Sequence, residues 1–143
     1  MEEKLIQSFY EQGDQQQAKR MATYMKDKFA FLGIHKPQRA ELQKQFLQQA
    51  KKLKKINWDF VTVLWNLPER EFQYLALDYL LALKNSLEKS DIEDIELLII
   101  QKSWWDSVDC LATNITGTLC AKYPDLRQSH ILSWAESDNI WLA

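Results

Sequence analysis

Apolar residues recur every three to four positions along most of the chain, which is the spacing of the buried face of an amphipathic helix. One example is the series Ala18, Met21, Ala22, Met25 and Phe29. Together with the residues that favour helix ends, this spacing predicts helices over about 2–12, 15–29, 37–53, 58–67, 68–83, 91–99, 104–122 and 125–134, and the start of another at 140–143.

Polar residues mark several of these helix starts. Asp14 and Asn57 have the short acceptor side chain that is favoured at a helix N-cap. Ser90–Glu93 and Ser103–Asp106 fit the capping box, in which a serine and an acid three residues later each accept a hydrogen bond from the other's backbone amide.

The sequence has three glycines and three prolines in 143 residues. A β-sandwich or α/β fold of this length needs more tight turns, so the predicted fold class is all-α. About eight helices joined by short turns, with helix pairs recurring at roughly 40 residues, favour a HEAT-like α-solenoid over a closed bundle. We therefore expect a single helical-repeat domain over residues 1–143, in which Trp58 and Trp65 belong to the core.

Composition is that of an ordinary globular protein, with 46% hydrophobic and 27% charged residues. No apolar segment approaches the roughly 20 residues of a membrane span, and the N-terminus lacks the pattern of a signal peptide. Cys110 and Cys120 would be roughly 15 Å apart on one helix, beyond disulfide reach. We expect buried thiols, no metal site, no cofactor, no membrane partner and a cytoplasmic location.

Charge is distributed unevenly. Residues 1–55 contain twelve Lys or Arg and six Asp or Glu, whereas residues 56–143 contain six and fourteen, and the sum is a net charge of −2. A basic half can attract phosphate although the whole chain is acidic. The alternative is that lysines 51, 52, 54 and 55 form a solvated helix end, and charge alone slightly favours this alternative.

Two adjacent tryptophans occur in the segment 102–109, KSWWDSVD. Neighbouring helical residues point about 100° apart, so both rings cannot enter one core face. Trp104 shares a face with Val108, whereas Trp105 shares one with Asp109, one turn later. An indole beside a carboxylate suits a cationic ligand, although a partly buried tryptophan with a solvated aspartate is the structural alternative.

Four blocks resemble the AlkD-type family of HEAT-repeat DNA alkylation-repair glycosylases: MATYMKDKFAFLGI at 21–34, LWNLPEREFQ at 64–73, KSWWDSVD at 102–109 and DNIWL at 138–142. They stand in the family's order. The resemblance implies a DNA glycosylase that releases cationic N3- and N7-alkylated purines from double-stranded DNA without taking the base into a pocket.

By matching motif, the resemblance assigns catalysis to Trp105 and Asp109 and DNA binding to Tyr24. The carboxylate and the indole would stabilise the oxocarbenium-like sugar that forms as the N-glycosidic bond breaks. Tyr24 could equally be a core tyrosine, and Asp106 fits a capping role better than a catalytic one. Lys36, Arg39 and Lys44, near the start of the third helix, are candidate phosphate contacts, or else part of a solvated face.

In the family, the DNIWL block is followed within two residues by an arginine that holds DNA phosphate, and later by a further tryptophan. This sequence ends at Ala143, so the resemblance implies an incomplete repeat array: a fragment, a proteolysed product or a decayed gene product. Trp134, Ile140 and Trp141 would lie near an open repeat face that could support self-association. The alternative function is a catalytically inactive helical-repeat module that binds DNA or protein.

Overall fold

The computed structural model describes residues 2–135, without the side chains of residues 105, 128, 132 and 135. The helix expected to start at residue 140, and with it Ile140 and Trp141, lies outside this part. The described chain contains α1 (Glu2–Glu11), α2 (Gln15–Tyr24), α3 (Lys36–Leu53), α4 (Trp58–Asn66), α5 (Arg70–Ala82), a 3-10 turn (Lys84–Ser86), α6 (Asp91–Ile100), α7 (Trp105–Asp109), a π-helical segment (Cys110–Thr116), α8 (Gly117–Lys122), a second π-helical segment (Arg127–Ile131) and α9 (Leu132–Ala135).

The predicted all-α class is confirmed, and over residues 2–135 the β pairing is limited to one isolated bridge between Ala30 and Glu69. The helical run from Trp105 to Lys122 has the predicted extent, although its middle is π-helical. No helix in the described range is long and apolar enough to cross a membrane. The chain divides into two compact units, Met1–Ala82 and Leu83–Ala143, so the single domain over 1–143 stays a prediction.

The first unit is built around α5, whose side chains are buried on most sides. Phe72 stacks on Phe9 of α1, with ring centroids 5.5 Å apart. Phe46, Phe60 and Tyr79 form an aromatic cluster with centroids 5.2–6.0 Å apart. Each such buried side chain contributes about 1.5–3 kcal/mol of hydrophobic stabilisation, so these contacts hold α1, α3 and α4 against α5.

Trp65 is 1% exposed, which confirms its assignment to the core. Trp58 is only half-buried, so its assignment to the core was wrong. It is the first residue of α4, and at this end of the helix it lines a surface groove instead of the interior.

The N-caps at Asp14 and Asn57 are confirmed. The Asp14 carboxylate accepts hydrogen bonds from the backbone amides of Gln16 and Gln17, at 2.9 and 3.2 Å. The Asn57 side chain accepts one from the amide of Phe60 at 3.3 Å. In both cases a side chain satisfies amides that the first helical turn leaves unpaired.

Both predicted capping boxes are wrong. Ser90 has helical backbone angles and makes no capping bond, and the Asp91 carboxylate instead accepts from the amide of Glu88 at 2.7 Å. The hydroxyl of Ser103 donates to the carbonyl of Ile99, at the end of the preceding helix. Because that hydroxyl is directed backwards along the chain, α7 begins two residues later, with Trp104 at the N-cap.

A buried carboxylate connects α5 to the turn at Leu32–Ile34. Glu71 is fully buried, and its two oxygens accept hydrogen bonds from the amides of Leu32, Gly33 and Ile34 at 2.8–3.0 Å. Gly33 has a φ of 91°, and a Cβ there would lie 2.0 Å from the carbonyl oxygen of Asp14. The turn therefore requires glycine at position 33, and it directs three backbone amides toward the carboxylate of Glu71.

The second unit packs the apolar face of α6 against the helical run that follows. Ile95 and Ile99 are buried on α6, as are Leu111 and Ile115 in the π-helical segment. The ammonium of Lys122, the last residue of α8, donates to the carbonyl of Leu87 at 3.0 Å. These contacts fix the helix that carries the Trp-Trp-Asp segment within its own unit.

Candidate functional site

Helix α7 carries the two predicted catalytic positions at its two ends. Trp105 is its first residue and Asp109 its last, so their backbone positions lie one turn apart and roughly 40° apart around the axis. The opposite side of the helix is buried, with Val108 at 7% and Leu111 at 0% exposure. Trp104, at the N-cap, is half-buried; the side chain of Trp105 lies outside the described part.

Asp109 is exposed, and within residues 2–135 it forms neither an ion pair nor a side-chain hydrogen bond. The neighbouring Ser107 differs, because it is fully buried and its hydroxyl donates to the carbonyl of Trp104 at 3.2 Å. A carboxylate without a protein partner keeps its attraction for a cation in solution. The exposure of Asp109 agrees with the predicted catalytic role, which stays a prediction.

Tyr24 is the last residue of α2 and is 86% exposed, so the core alternative for this residue is wrong. The neighbouring Met25 takes the buried position instead, at 8% exposure. After it the backbone turns through Lys26 and Asp27, both in the left-handed region with φ of 55°. The turn leaves the side chains of Tyr24, Lys26 and Asp27 exposed, and a contact of Tyr24 with DNA stays a prediction.

Lys36 and Lys44 are exposed on α3, as expected for phosphate contacts. Lys36 is the first residue of the helix, and the N-cap residue, His35, makes no side-chain capping bond. Pro37 has no amide hydrogen, so the amides of this first turn that remain available to an anion are those of Lys36 and Gln38. That Lys36 and Lys44 contact DNA phosphate stays a prediction.

Arg39 has a different environment from the two lysines. It is 6% exposed, its Nη2 lies 3.5 Å from Oδ2 of Asp78, and its guanidinium lies 5.0 Å from the ring centroid of Tyr74. Gln43, one turn later, donates to the same carboxylate oxygen at 2.6 Å. Position 39 faces α5, so this placement does not favour the predicted phosphate contact and makes Arg39 a residue that joins α3 to α5.

Lys51 is a cation that the motif comparison missed. It is exposed, and helix geometry places Lys36, Lys44 and Lys51 within an arc of roughly 80° on α3. They span roughly 22 Å along the axis. The sequence indicates this common face, because Lys44 follows Lys36 by eight residues and Lys51 follows Lys44 by seven. Lys51 was instead grouped with the neighbouring lysines of residues 51–55.

The predicted site residues are divided between the two units. Tyr24, Lys36 and Lys44 belong to the first unit, whereas Trp105 and Asp109 belong to the second. Cys110, next to Asp109, and Cys120 are half-buried and form no disulfide in the described chain, and burial raises the pKa of the Cys120 thiol. Over the described range, no three His, Cys, Asp or Glu side chains are grouped as metal ligands.

Comparison with known proteins identifies the family. The family model described as DNA alkylation repair enzyme matches residues 5–143. A solved structure, that of a predicted DNA alkylation repair enzyme from Enterococcus faecalis, is similar with a TM-score of 0.79 and 27% identity, over 92% of this chain and 62% of that one. The chain thus spans about three fifths of that protein's length. No protein of curated function matches. With its all-α helical-repeat fold, the chain belongs to the DNA alkylation repair enzyme family.

Proposed function

We propose that this protein is a DNA glycosylase of the AlkD type, which hydrolyses the N-glycosidic bond of cationic N3- and N7-alkylated purines in duplex DNA. The observation that carries the proposal is the exposed carboxylate of Asp109, without a protein partner in the described chain and one helical turn from position 105. The proposed scaffold is a HEAT-like array of helix pairs.

An alkylated purine that already bears a positive charge is a good leaving group, so little acid catalysis is required. The sugar becomes oxocarbenium-like as the bond breaks, and the negative charge of Asp109 stabilises this cation. The indole of Trp105 would add about 0.5–2 kcal/mol of cation–π attraction. Asp109 also has the acceptor oxygens needed to orient an attacking water.

DNA binding is assigned to the first unit. The exposed ring of Tyr24 and the cations Lys36 and Lys44, extended by Lys51, supply aromatic and phosphate contacts. Contacts to phosphate hold the duplex without reading its sequence, which suits an enzyme whose substrate is defined by a chemical lesion. The buried Arg39 is not part of this proposed surface.

The test is release of N7-methylguanine and N3-methyladenine from methylated duplex DNA by the wild-type chain and by Asp109→Asn. The exchange removes the charge and keeps the shape, so we expect excision to fall at least about a hundredfold with DNA affinity nearly unchanged. Glu88→Gln, an exposed acid in the same unit, is the matched control and should retain full activity. Equal excision by Asp109→Asn and wild type would remove Asp109 from the mechanism.

A second candidate function is a helical-repeat module that binds DNA without cutting the glycosidic bond. The observation in its favour is the set of exposed cations in the first unit, which can contact phosphate without any contribution from Asp109 in the second unit. Binding that weakens steeply with added salt, together with no base release by the wild-type chain, would identify this function.

A further inference from the structure

The first unit contains an open groove of about 1030 Å³ between the start of α1, the end of α3 and the start of α4. Its apolar surface includes Phe46, Trp58 and Tyr79. Tyr79 is 3% exposed, and its hydroxyl accepts a hydrogen bond from the amide of Asn57 at 2.9 Å. The groove therefore has an aromatic floor that the fold of the unit holds in place.

The rim of the groove carries excess negative charge. Glu2, Glu3 and Asp59 line it, against one cation, Lys55. Glu2 accepts a hydrogen bond from the side chain of Asn57 at 3.0 Å, whereas in the described chain Glu3 and Asp59 form no ion pair. Carboxylates around an aromatic floor favour an occupant that is both cationic and apolar.

A segment of that chemistry forms one edge of the same groove, and its residues Leu53 and Lys55 are among those that line it. Helix α3 ends at Leu53, which is 77% exposed and has Lys51, Lys52, Lys54 and Lys55 around it in the sequence. Lys54 adopts the left-handed C-cap conformation with φ of 52°, and its amide donates to the carbonyl of Ala50 at 3.3 Å. We call residues 51–55 the basic tip. It presents a leucine to solvent within a cluster of positive charge.

We propose that the groove binds the basic tip of a second copy of this chain, in a dimer with twofold symmetry. Leu53 of each copy would enter the aromatic groove of the other, and Lys52, Lys54 and Lys55 would meet the carboxylate rim, which leaves Lys51 to the proposed DNA surface. The tip and the groove are adjacent on one surface, so one patch contains both halves of a self-complementary contact. A twofold axis beside Leu53 fills the groove of each copy with the basic tip of the other, and the assembly closes as a dimer.

This interface does not involve the C-terminal repeat face that the sequence predicts to be open, where Trp134 is only 6% exposed. It also does not depend on the proposed glycosylase activity. Charge complementarity selects a second copy over an acidic or purely apolar partner, because the rim repels the first and the lysines are left unpaired by the second. Salt should weaken the dimer, since the charges lie at an exposed rim.

Sedimentation equilibrium of the full chain tests the proposal over increasing protein concentration and at two salt concentrations. We expect a monomer–dimer equilibrium that shifts toward monomer as salt rises. Leu53→Asp should raise the dimer dissociation constant about tenfold or more, because it puts two carboxylates into acid-rimmed grooves. Val63→Asp is the matched control, since Val63 is 50% exposed on α4 and does not line the groove.

A charge exchange identifies the surfaces that meet. Lys52→Glu and Glu3→Lys should each weaken self-association, because each homodimer opposes like charges at both contacts. An equimolar mixture should form a heterodimer, in which both contacts again pair opposite charges. Circular dichroism of each variant separates these effects from misfolding.

Three results would overturn the proposal. The first is a monomer at all concentrations up to about 1 mM at low salt. The second is a dimer that tolerates Leu53→Asp as well as it tolerates Val63→Asp. The third is a dimer whose dissociation constant is left unchanged by both Lys52→Glu and Glu3→Lys.

Discussion

Replacement of Glu71 by alanine should be among the most damaging single substitutions in the first unit. The carboxylate has no solvent exposure and accepts hydrogen bonds from three consecutive amides of the turn at Leu32–Ile34. Alanine removes the acceptor and leaves the three donors in place. The turn cannot rotate them toward other carbonyls easily, because Gly33 is fixed against the carbonyl oxygen of Asp14.

The magnitude follows from the number of donors that lose their partner. A buried donor left unsatisfied costs about 1–3 kcal/mol. Leu32 is half-buried, so water can replace the carboxylate at its amide, whereas Gly33 and Ile34 are buried. Two buried amides without an acceptor, together with a small cavity, correspond to a loss of about 4 kcal/mol in the free energy of unfolding. Glu71→Gln keeps one acceptor oxygen without the charge and should cost about 2 kcal/mol.

Urea unfolding followed by far-ultraviolet circular dichroism measures both losses, with the slope m checked for a change in the unfolded state. Glu41→Gln is the matched control, since Glu41 is exposed on α3, and it should stay within about 0.5 kcal/mol of wild type. If the free energy of unfolding of Glu71→Ala also stayed within about 1 kcal/mol of wild type, the hydrogen bonds from the three amides to Glu71 would not be what stabilises the turn.

Three further outcomes are expected. Tyr24→Ala should weaken duplex binding several-fold and Tyr24→Phe should not, because the exposed ring makes the contact; equal losses in a binding titration would contradict this. Lys36→Gln and Lys44→Gln should each lower the slope of log affinity against log salt by about 1, and unchanged slopes would exclude them from the interface. Burial raises the pKa of Tyr79 above its usual 10.0. The contribution of the neutral Tyr79 phenol to the free energy of unfolding is therefore complete below about pH 10 and is lost as pH rises through the pKa of the folded state. Tyr79→Phe should therefore remove a late step from the ultraviolet titration of tyrosinate.

Much of the helix layout was predictable from local signals. The apolar period located α1 and α3 to α6, whereas α2 ends at Tyr24, five residues before the predicted end. The caps at Asp14 and Asn57 depend on a side chain and amides two or three residues away. Such bonds are encoded within one turn of sequence. The capping box at Ser103 failed because its hydroxyl donates to the preceding helix, which the local motif does not include. The one at Ser90 failed because a turn over residues 88–91 gives Ser90 helical backbone angles.

The candidate site was predictable to a lesser degree. The exposure of Tyr24 could not be derived from its neighbours, because Met21 and Met25 suggested a buried stripe and only Met25 is buried. By sequence alone, Arg39 is as good a candidate for a phosphate contact as Lys36, because both are cations near the start of α3. Its burial depends on Asp78, which is 39 residues away and on another helix. Contacts of that range are fixed by tertiary packing and leave no periodic signal.

The motif at 64–73 consists largely of residues that build the fold. Arg70, Glu71 and Gln73 have no solvent exposure. Arg70 stacks on the ring of Phe29 at 3.9 Å, and the Gln73 amide donates to two carbonyls at the end of α4, those of Leu64 and Leu67, at 2.9 and 3.0 Å. None of the three can contact a duplex directly.

A family member that had lost its chemistry would still need this motif in order to fold. The match at 64–73 therefore supports the architecture and carries little information about catalysis. Asp109 is the opposite case, since it is exposed and has no partner in the described chain, so its removal should leave stability within about 0.5 kcal/mol of wild type. A loss of excision in Asp109→Asn would consequently report on the chemical step and not on the scaffold.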